Sequence, residues 1–424
     1  QKSQRPMLIF WLFSTTFAPP RTQLLFLHAD AAFRCMPRVQ LVGDDNSLFE
    51  SLRARQAQLD AQQRAIDARW RNSACSSSVR VELDDWVRRL ALDWPLAALG
   101  TAQGSVRVVD LQTGQTLAQA LGAHPSRTNG IARDMRLLFG EFDGGGPTAI
   151  AFRFGRVVSA GRDGGAREWR LTDAMADKPV QLQHVADLPC ESIVSSIAIC
   201  EPDNAVWTAG LDGRLCKWTA VVQGADAHCA LTIDVGSPVL CLTASDTHGL
   251  VVCGTADGSV HIFSMTTGNR VDVWRPLSFD GSSGYRGERT RSVALLDVGS
   301  AACVLAGGSE GQLHFRWLAD GGLRHPDGDS AGVFDATRPS QALLPAHRGA
   351  VVALQGVGVS GLFVSGAHDG TMRVWDMRSA ASGGTPKALY GMGGYKVWLG
   401  SVATDGKRLV SDGSDNCVIV HAFD

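Results

Sequence analysis

The chain has 424 residues, which is too long for one ordinary domain and fits either several domains or one large repeat array. Hydrophobic residues make up 45% and charged residues 19%, so a packed core can form and global disorder is excluded. The 40 basic and 42 acidic residues give a formal net charge of -2, which argues against a general nucleic-acid binder with a basic surface.

The first segment, residues 1–46, carries one short apolar run, Met7 to Phe13, which is far too short to span a membrane. Lys2 and Arg5 precede this run, and residues 1–38 contain only one acidic residue, Asp30, as is typical of targeting peptides. We expect either a poorly ordered tail or a targeting peptide here. The 10 cysteines lie singly, with no CxxC pair, which favours reduced thiols and a cytoplasmic or nuclear location.

Residues 47–72 are predicted to form a helix. Ser47 and Glu50 have the spacing of a capping box, and Leu52, Leu59 and Ile66 recur every 7 residues on one helix face. This apolar stripe is narrow and its face is rich in Gln. We therefore expect the helix to pack on the rest of the chain or on a partner rather than to form an isolated coiled coil.

A short sequence pattern recurs along the rest of the chain. It consists of apolar residues, Ser or Thr, Gly or Ala, two further residues, Asp-Gly and an alternating strand that ends in Trp. The clearest copy is SGAHDGTMRVWD at Ser365–Asp376. The turn acid, or the residue that replaces it, falls at Gln103, Asp163, Asp212, Asp257, Glu310, Asp369 and Asp415.

These copies predict seven similar antiparallel sheets. Asp-Gly favours a tight hairpin turn, because Gly tolerates positive φ and Asp bonds the turn backbone. Successive turns lie 45 to 60 residues apart, which is the length of a four-stranded propeller blade. The last copy lacks a fourth strand, and Val79–Leu83 is expected to supply it. Pairing the two ends of the chain in one blade would remove an exposed sheet edge.

In the sixth copy, His347, Ser365, Asp369 and Trp375 have the spacing of a buried hydrogen-bonded tetrad. On these residues and the repeated turn, residues 79–424 resemble the WD-repeat β-propeller family. The resemblance implies an all-β, seven-bladed propeller with a short N-terminal helical extension, and a structural tetrad. A catalytic His-Ser-Asp group is the alternative for the same residues.

Three copies depart from the family pattern. The first has Gln103 in place of Asp and Val109 in place of Trp, the fifth places Trp317 one residue late, and the seventh has His421 where Trp is expected. These departures leave the blade boundaries open.

The end of the predicted helix, Ile66–Asn72, resembles the segment that enters the propeller in F-box/WD-repeat proteins. Proteins of that subgroup bind the adaptor of a ubiquitin ligase through a preceding F-box. A plain helical lead-in to the propeller is the alternative for these residues.

Three connections are long. The first two, His124–Pro147 and Pro276–Arg291, join consecutive blades and are rich in arginine. The family resemblance places such connections on the same face as the Asp-Gly turns. The third, Asp320–Pro345, is rich in Gly, Asp and Pro and is expected to be a flexible loop.

The arginines of the turn face predict a surface that binds an acidic or phosphorylated peptide, because a guanidinium pairs bidentately with carboxylate or phosphate. The candidate partner-binding residues are Arg127, Arg133, Arg136, Arg162, Tyr285, Arg286, Arg289, Arg291 and Arg348. The alternative is that these are solvated loops whose charges do not converge.

The sequence thus predicts a non-catalytic scaffold or adaptor that binds other proteins, without a catalytic residue, metal ligand set or cofactor, and without nucleic acid or a membrane span. Two alternatives remain. The first is substrate recognition for a cullin-type ubiquitin ligase, with its adaptor as partner. The second is a propeller enzyme with its site in the central channel, which would need carboxylates, or His with Asp, at the channel mouth.

Overall fold

The computed structural model describes residues 46–125, 146–172, 179–200, 204–219, 227–276, 288–319, 333–358, 360–395, 399–412 and 416–424. The chain divides into two compact units, residues 1–63 and 64–424. The predicted tail or targeting peptide, except for its last residue, lies outside the described residues, as does the seventh turn acid, Asp415.

Helix α1 spans Asn46–Arg71, close to the bounds predicted for the helical extension. In the first unit Gln56 Nε2 donates a 2.8 Å hydrogen bond to Asp60 Oδ1, one helical turn later. Phe49, Leu52 and Leu59 are exposed on this part of the helix. The side chain of Ser47, the predicted cap, lies outside the described residues. Among the helices that the structure describes, none has both the length and the apolar character required to cross a bilayer.

The described residues form seven four-stranded antiparallel sheets, which confirms the predicted seven-bladed propeller. Blade 1 contains β2 (Val87–Asp93), β3 (Leu96–Thr101), β4 (Val106–Asp110) and β5 (Thr116–Ala120). Blade 2 contains β6 (Pro147–Arg153), β7 (Arg156–Gly161), β8 (Ala166–Leu171) and β9 (Leu182–Leu188). Blade 3 contains β10 (Val194–Ile199), β11 (Val206–Gly210), β12 (Arg214–Trp218) and β13 (Cys229–Asp234). Blade 4 contains β14 (Val239–Ser245), β15 (Leu250–Thr255), β16 (Val260–Ser264) and β17 (Arg270–Trp274).

The remaining blades follow the same order from the inner strand outward. Blade 5 contains β18 (Thr290–Val298), β19 (Ala301–Gly308), β20 (Leu313–Trp317) and β21 (Gln341–Ala342). Blade 6 contains β22 (Val351–Val357), β23 (Leu362–Ala367), β24 (Met372–Asp376) and β25 (Lys387–Met392), with the one-turn helix α2 (Arg378–Ala381) between its last two strands. Blade 7 contains β26 (Val402–Thr404), β27 (Arg408–Asp412), β28 (Cys417–Ala422) and β1 (Ser77–Glu82).

Glycines of the repeat allow both the turn and the contact between blades. Gly370 follows Asp369 with φ 72°, and a Cβ there would lie 2.7 Å from the carbonyl oxygen of Tyr395. Gly366 lies on β23, where a Cβ would lie 2.6 Å from a methyl group of Leu399 in the approach to blade 7. The small residue of the repeat therefore lets neighbouring blades pack closely around the ring.

The two ends of the propeller sequence meet in blade 7. Strand β1 pairs antiparallel with β28, with Ser77 opposite Ala422 and Glu82 opposite Cys417. Val81 is buried in a core shared with strands of blades 1 and 7. The predicted closure by Val79–Leu83 is therefore confirmed, with strand bounds one or two residues earlier.

The end of α1, within the second unit, packs into the propeller. Trp70 is fully buried, stacks on Phe423 with ring centroids 3.9 Å apart, and donates through Nε1 to the carbonyl oxygen of Gly406 at 2.9 Å. Ile66 is buried in the same core. Packing thus accounts for the two apolar residues of the segment that resembles F-box/WD-repeat proteins.

The expectation of a flexible loop over Asp320–Pro345 is wrong for its described half. Residues 341–342 form the outer strand of blade 5, pairing with His314 and Phe315. Phe334 is buried and meets Trp274 edge-on at 5.7 Å. Buried apolar side chains such as Phe334 thus hold this segment against the propeller, although its composition resembles that of a linker. Residues 320–332 lie outside the described residues.

Candidate binding site in the central channel

The inner strand of every blade lines a central cavity of about 310 Å³. Turns between the second and third strands of blades 2 and 6 add Arg162 and His368 to the lining. This end of the cavity is called the channel mouth below. It lies on the face that carries the Asp-Gly turns.

Six of the seven inner strands have a register shift at the second residue, which is the signature of a β-bulge. The residues at this position are Arg88, Thr148, Ser195, Leu240, Arg291 and Val352. All six line the cavity. Because a bulge redirects a side chain, the chemistry of the channel mouth depends strongly on one position in each blade.

Basic side chains from several blades meet in this cavity. Arg88 and Arg89 come from β2, Arg162 from the β7–β8 turn, Arg291 from β18 and His368 from the β23–β24 turn. We call these five residues the channel cluster. Blades that are far apart in the sequence thus contribute to one positively charged site.

Two arginines of the channel cluster are held by specific contacts. The Arg88 guanidinium lies 4.7 Å from the centre of the Trp86 ring. Arg89 Nε donates to the carbonyl oxygen of Thr148 at 2.6 Å, and a terminal nitrogen of Arg89 donates to the carbonyl oxygen of Arg88 at 2.8 Å. These contacts link blade 1 to blade 2 and reduce the number of conformations that the arginines can adopt.

Burial and mutual repulsion act on the channel cluster. Burial, followed by the charges of Arg162 and Arg89, lowers the pKa of Arg88 to about 10. Burial and the charge of Arg89 likewise lower the pKa of Arg291 to about 10. Burial together with the charges of Arg291 and Arg89 lowers the pKa of His368 to about 4. His368 is therefore neutral at physiological pH, and the positive charge comes from the arginines.

Asp412 is the one carboxylate among the described residues that line the cavity. It accepts hydrogen bonds from the backbone amides of Gly400 at 2.8 Å and Ser401 at 2.9 Å. Burial raises the pKa of Asp412 to about 8, although these amides and Arg89 favour its charged form. One such carboxyl cannot neutralise four guanidinium groups, so the cavity carries net positive charge.

The nine predicted partner-binding residues do not all lie at the cavity. Arg127, Arg133, Arg136, Tyr285 and Arg286 lie outside the described residues. Arg162 and Arg291 line the cavity, and the charge of Arg289 acts on Arg291. Arg348 is exposed beside the tetrad and is not among the lining residues; its backbone amide donates to Asp369 Oδ2 at 2.9 Å.

Sequence reasoning missed Arg88, Arg89 and His368. The signal for the first two was the pair of arginines near the start of the first inner strand, two residues after Trp86. These two residues belong to a strand rather than to a loop, and the bulge at Arg88 brings them to the channel mouth. His368 immediately precedes the turn acid Asp369, as Arg162 precedes Asp163.

The four residues of the proposed tetrad in blade 6 are in contact. His347 Nε2 lies 2.8 Å from Ser365 Oγ, and its Nδ1 lies 3.2 Å from Asp369 Oδ2. Trp375 Nε1 donates to Ser365 Oγ at 2.9 Å. Ser365 is fully buried, so a substrate has no access to its hydroxyl group. This burial favours a structural over a catalytic role.

Blade 2 contains a second such network, which the sequence analysis did not assign. His124 Nε2 lies 2.8 Å from Ser159 Oγ, and its Nδ1 lies 3.1 Å from Asp163 Oδ1. Trp169 Nε1 completes the network by donating to Ser159 Oγ at 2.8 Å. His124 had been assigned to the start of an arginine-rich loop, whereas its side chain is fully buried.

Other blades use different residues at the histidine position. In blade 3, Cys190 bonds Thr208, whose hydroxyl accepts from Trp218 Nε1 at 2.9 Å. In blade 7, the Tyr395 hydroxyl lies 2.8 Å from Ser411 Oγ. In blade 5, Glu288 lies close to the turn acid Glu310, and burial followed by the charge of Glu310 raises the pKa of Glu288 to about 7.

The carboxyl pair of blade 5 predicts a pH-dependent effect. The ordinary pKa of Glu288 is 4.5, so the unfolded chain loses this proton at a lower pH than the folded protein does. The free energy of unfolding therefore falls as the pH rises from 4.5 to about 7. Glu288→Gln should therefore raise the free energy of unfolding at about pH 8 and change it little at about pH 4. Urea unfolding at both pH values measures this. Glu50→Gln, at an exposed position in α1, is the control, and equal effects at the two pH values would contradict the prediction.

Comparisons with known proteins find one family model and two individual proteins that are similar to this chain. The family model described as WD domain, G-beta repeat matches residues 228–264 and 338–376, which lie mainly in blades 4 to 6. The ribosome biogenesis protein YTM1 of Podospora anserina is 26% identical over 261 residues, covering 56% of this chain and 50% of that protein. The chain thus spans about half the length of this curated relative. The crystal structure of the computationally designed Ika8 protein matches with a TM-score of 0.48 and 20% identity, over 80% of this chain and 97% of the designed chain.

Proposed function

This chain is a WD-repeat β-propeller, and on that basis we propose that it is a non-catalytic interaction scaffold whose channel mouth binds an acidic or phosphorylated peptide. One observation carries the proposal: four arginines from blades 1, 2 and 5 line the same cavity. Guanidinium groups bind carboxylates and phosphates bidentately, so such a site favours acidic side chains. A rigid ring of sheets holds the site in place, which suits the assembly of other proteins.

Peptide binding to the full chain tests this proposal. We expect a fluorescently labelled peptide rich in Glu to bind more tightly than the same peptide with Gln, and to lose affinity as salt is added. Arg162→Ala and Arg291→Ala should each weaken binding by about tenfold, the effect of losing about 1.4 kcal/mol. Fluorescence anisotropy gives the affinities.

Arg80→Ala is the matched control, because Arg80 lies on the outermost strand of blade 7 with a half-exposed side chain. This variant should bind the Glu peptide as the unchanged protein does. Equal affinities for the Glu and Gln peptides would contradict the proposal, as would equal losses in the channel and control variants.

A role in ribosome assembly, and with it a nuclear location, is a second candidate. The similarity to the Podospora anserina ribosome biogenesis protein favours it. Tagged full chain should then sediment with ribosomal precursor particles on a density gradient and should shift to the top of the gradient when these particles are dissociated. Sedimentation as a small protein under all conditions would exclude this role.

The two remaining alternatives have less support. The segment Ile66–Asn72, on which the ubiquitin-ligase role depends, is explained by the packing of Ile66 and Trp70. A channel enzyme would need converging carboxylates, whereas the described lining has one, Asp412, bonded to two backbone amides. Recovery of a cullin and its adaptor with the purified chain would favour the ligase.

A further inference from the structure

We propose that the channel cluster is a built site for one phosphate monoester, which enters along the propeller axis and is held mainly by Arg88, Arg89 and Arg291. This inference rests on the proposed function and specifies its chemistry as phosphate rather than carboxylate. The phosphate can belong to a phosphorylated side chain of a partner or to a free small molecule, and the test below separates these sources.

The placement of the arginines favours an anion on the axis. Arg88 and Arg89 approach from blade 1 and Arg291 from blade 5, nearly opposite in a ring of seven. Their charges act on one another across the cavity, since Arg89 contributes to the lowered pKa of both Arg88 and Arg291. An anion between them would be attracted by all three and would relieve their repulsion.

The charge balance favours a phosphate. Four guanidinium groups face one lining carboxyl, Asp412, among the described residues. A phosphate monoester carries a charge of about -1.5 to -2 near neutral pH and three acceptor oxygens, whereas a carboxylate carries one charge and two oxygens. The dianion therefore offsets more of the repulsion and engages more of the donors.

Three hydroxyl groups that line the cavity already donate to backbone carbonyl oxygens. Thr148 Oγ1 donates to the carbonyl oxygen of Val194 at 2.6 Å, Ser195 Oγ to that of Val239 at 2.6 Å, and Ser292 Oγ to that of Val351 at 2.8 Å. These bonds join the inner strands of adjacent blades. These three hydroxyl groups therefore do not compete with the guanidinium groups, which discriminate between anions by charge and by number of acceptors.

The cavity and its supports suit a small charged group. A volume of about 310 Å³ is large enough for a phosphorylated side chain. The stacking of Arg88 on Trp86 and the bond from Arg89 to the Thr148 carbonyl hold two donors in place before the ligand arrives. Such preorganisation lowers the entropy cost of binding.

Calorimetric titration of the full chain tests the site with four probes. These are a peptide with one phosphothreonine, the same peptide with Glu or Thr at that position, and inositol hexakisphosphate as a free phosphorylated compound. We expect the phosphopeptide to bind at least tenfold more tightly than the Glu peptide. Arg88→Gln and Arg291→Gln should each weaken phosphopeptide binding by tenfold or more, and Arg80→Gln should leave that affinity unchanged.

Thermal unfolding of each variant guards against misfolding. Removing one of several repelling charges should leave the melting temperature unchanged or raise it, so lost binding in a folded variant reports the site itself. Inorganic phosphate should raise the melting temperature of the unchanged protein more than that of Arg88→Gln.

The outcomes separate the two proposals. Binding of inositol hexakisphosphate that depends on Arg88 and Arg291, with no peptide bound, supports the phosphate site and overturns the peptide scaffold. Equal binding of the Glu peptide and the phosphopeptide overturns the phosphate site and leaves the acidic-peptide function standing. The phosphate site is overturned if no phosphorylated probe binds. It is also overturned if Arg80→Gln loses as much affinity for these probes as Arg88→Gln does.

Discussion

Replacing Trp70 with Ala is expected to lower the free energy of unfolding by about 4 kcal/mol, which is typical of a buried tryptophan. The side chain is fully buried, its ring stacks on Phe423 at 3.9 Å, and its Nε1 donates to the Gly406 carbonyl at 2.9 Å. The variant loses both contacts and leaves a cavity beneath the end of α1. Urea unfolding followed by circular dichroism of the sheet measures the change.

Two further variants show how much of this loss comes from the hydrogen bond and how much a change at an exposed position costs. Trp70→Phe keeps an aromatic ring against Phe423 but cannot donate to Gly406, so it should lose about 1 to 2 kcal/mol. Phe49→Ala, at a position 44% exposed in the same helix, should change stability by less than about 0.5 kcal/mol. A loss in Trp70→Ala as small as that in Phe49→Ala would show that the helix end does not stabilise the propeller.

The sequence was sufficient for the fold because the fold depends on local rules that repeat. Each Asp-Gly turn is followed by an alternating strand, and strand β24 (Met372–Asp376) follows the sixth turn as the pattern requires. Closure was predictable since a blade with three strands leaves an unpaired edge that β1 can cover. Trp317 and His421 depart from the repeat pattern, yet both pair within their sheets, because strand pairing tolerates different side chains at these positions.

Residues brought together by tertiary structure were harder to predict. His124 lies 35 residues before Ser159, across a long connection, so the spacing seen in blade 6 did not reveal it. Arg88 reaches the channel mouth only because a bulge shifts the register of β2 by one residue. The predicted arginines were chosen by loop length, and loop length does not determine which way a side chain points.

His347→Ala is expected to lower the free energy of unfolding by about 3 kcal/mol, because it removes a buried imidazole and its hydrogen bonds to Ser365 and Asp369. The variant leaves Ser365 Oγ without its 2.8 Å contact and Asp369 without its 3.2 Å contact. The turn bearing Asp369 would then be held to blade 6 less firmly.

Cys190→Ala in blade 3 is the matched variant, since a thiol there forms a hydrogen bond with Thr208 in place of the imidazole. A thiol is a weak donor, so this second loss should be nearer about 1 kcal/mol. Urea unfolding of both variants compares the two blades directly, and equal losses would show that the imidazole adds nothing beyond the volume it fills.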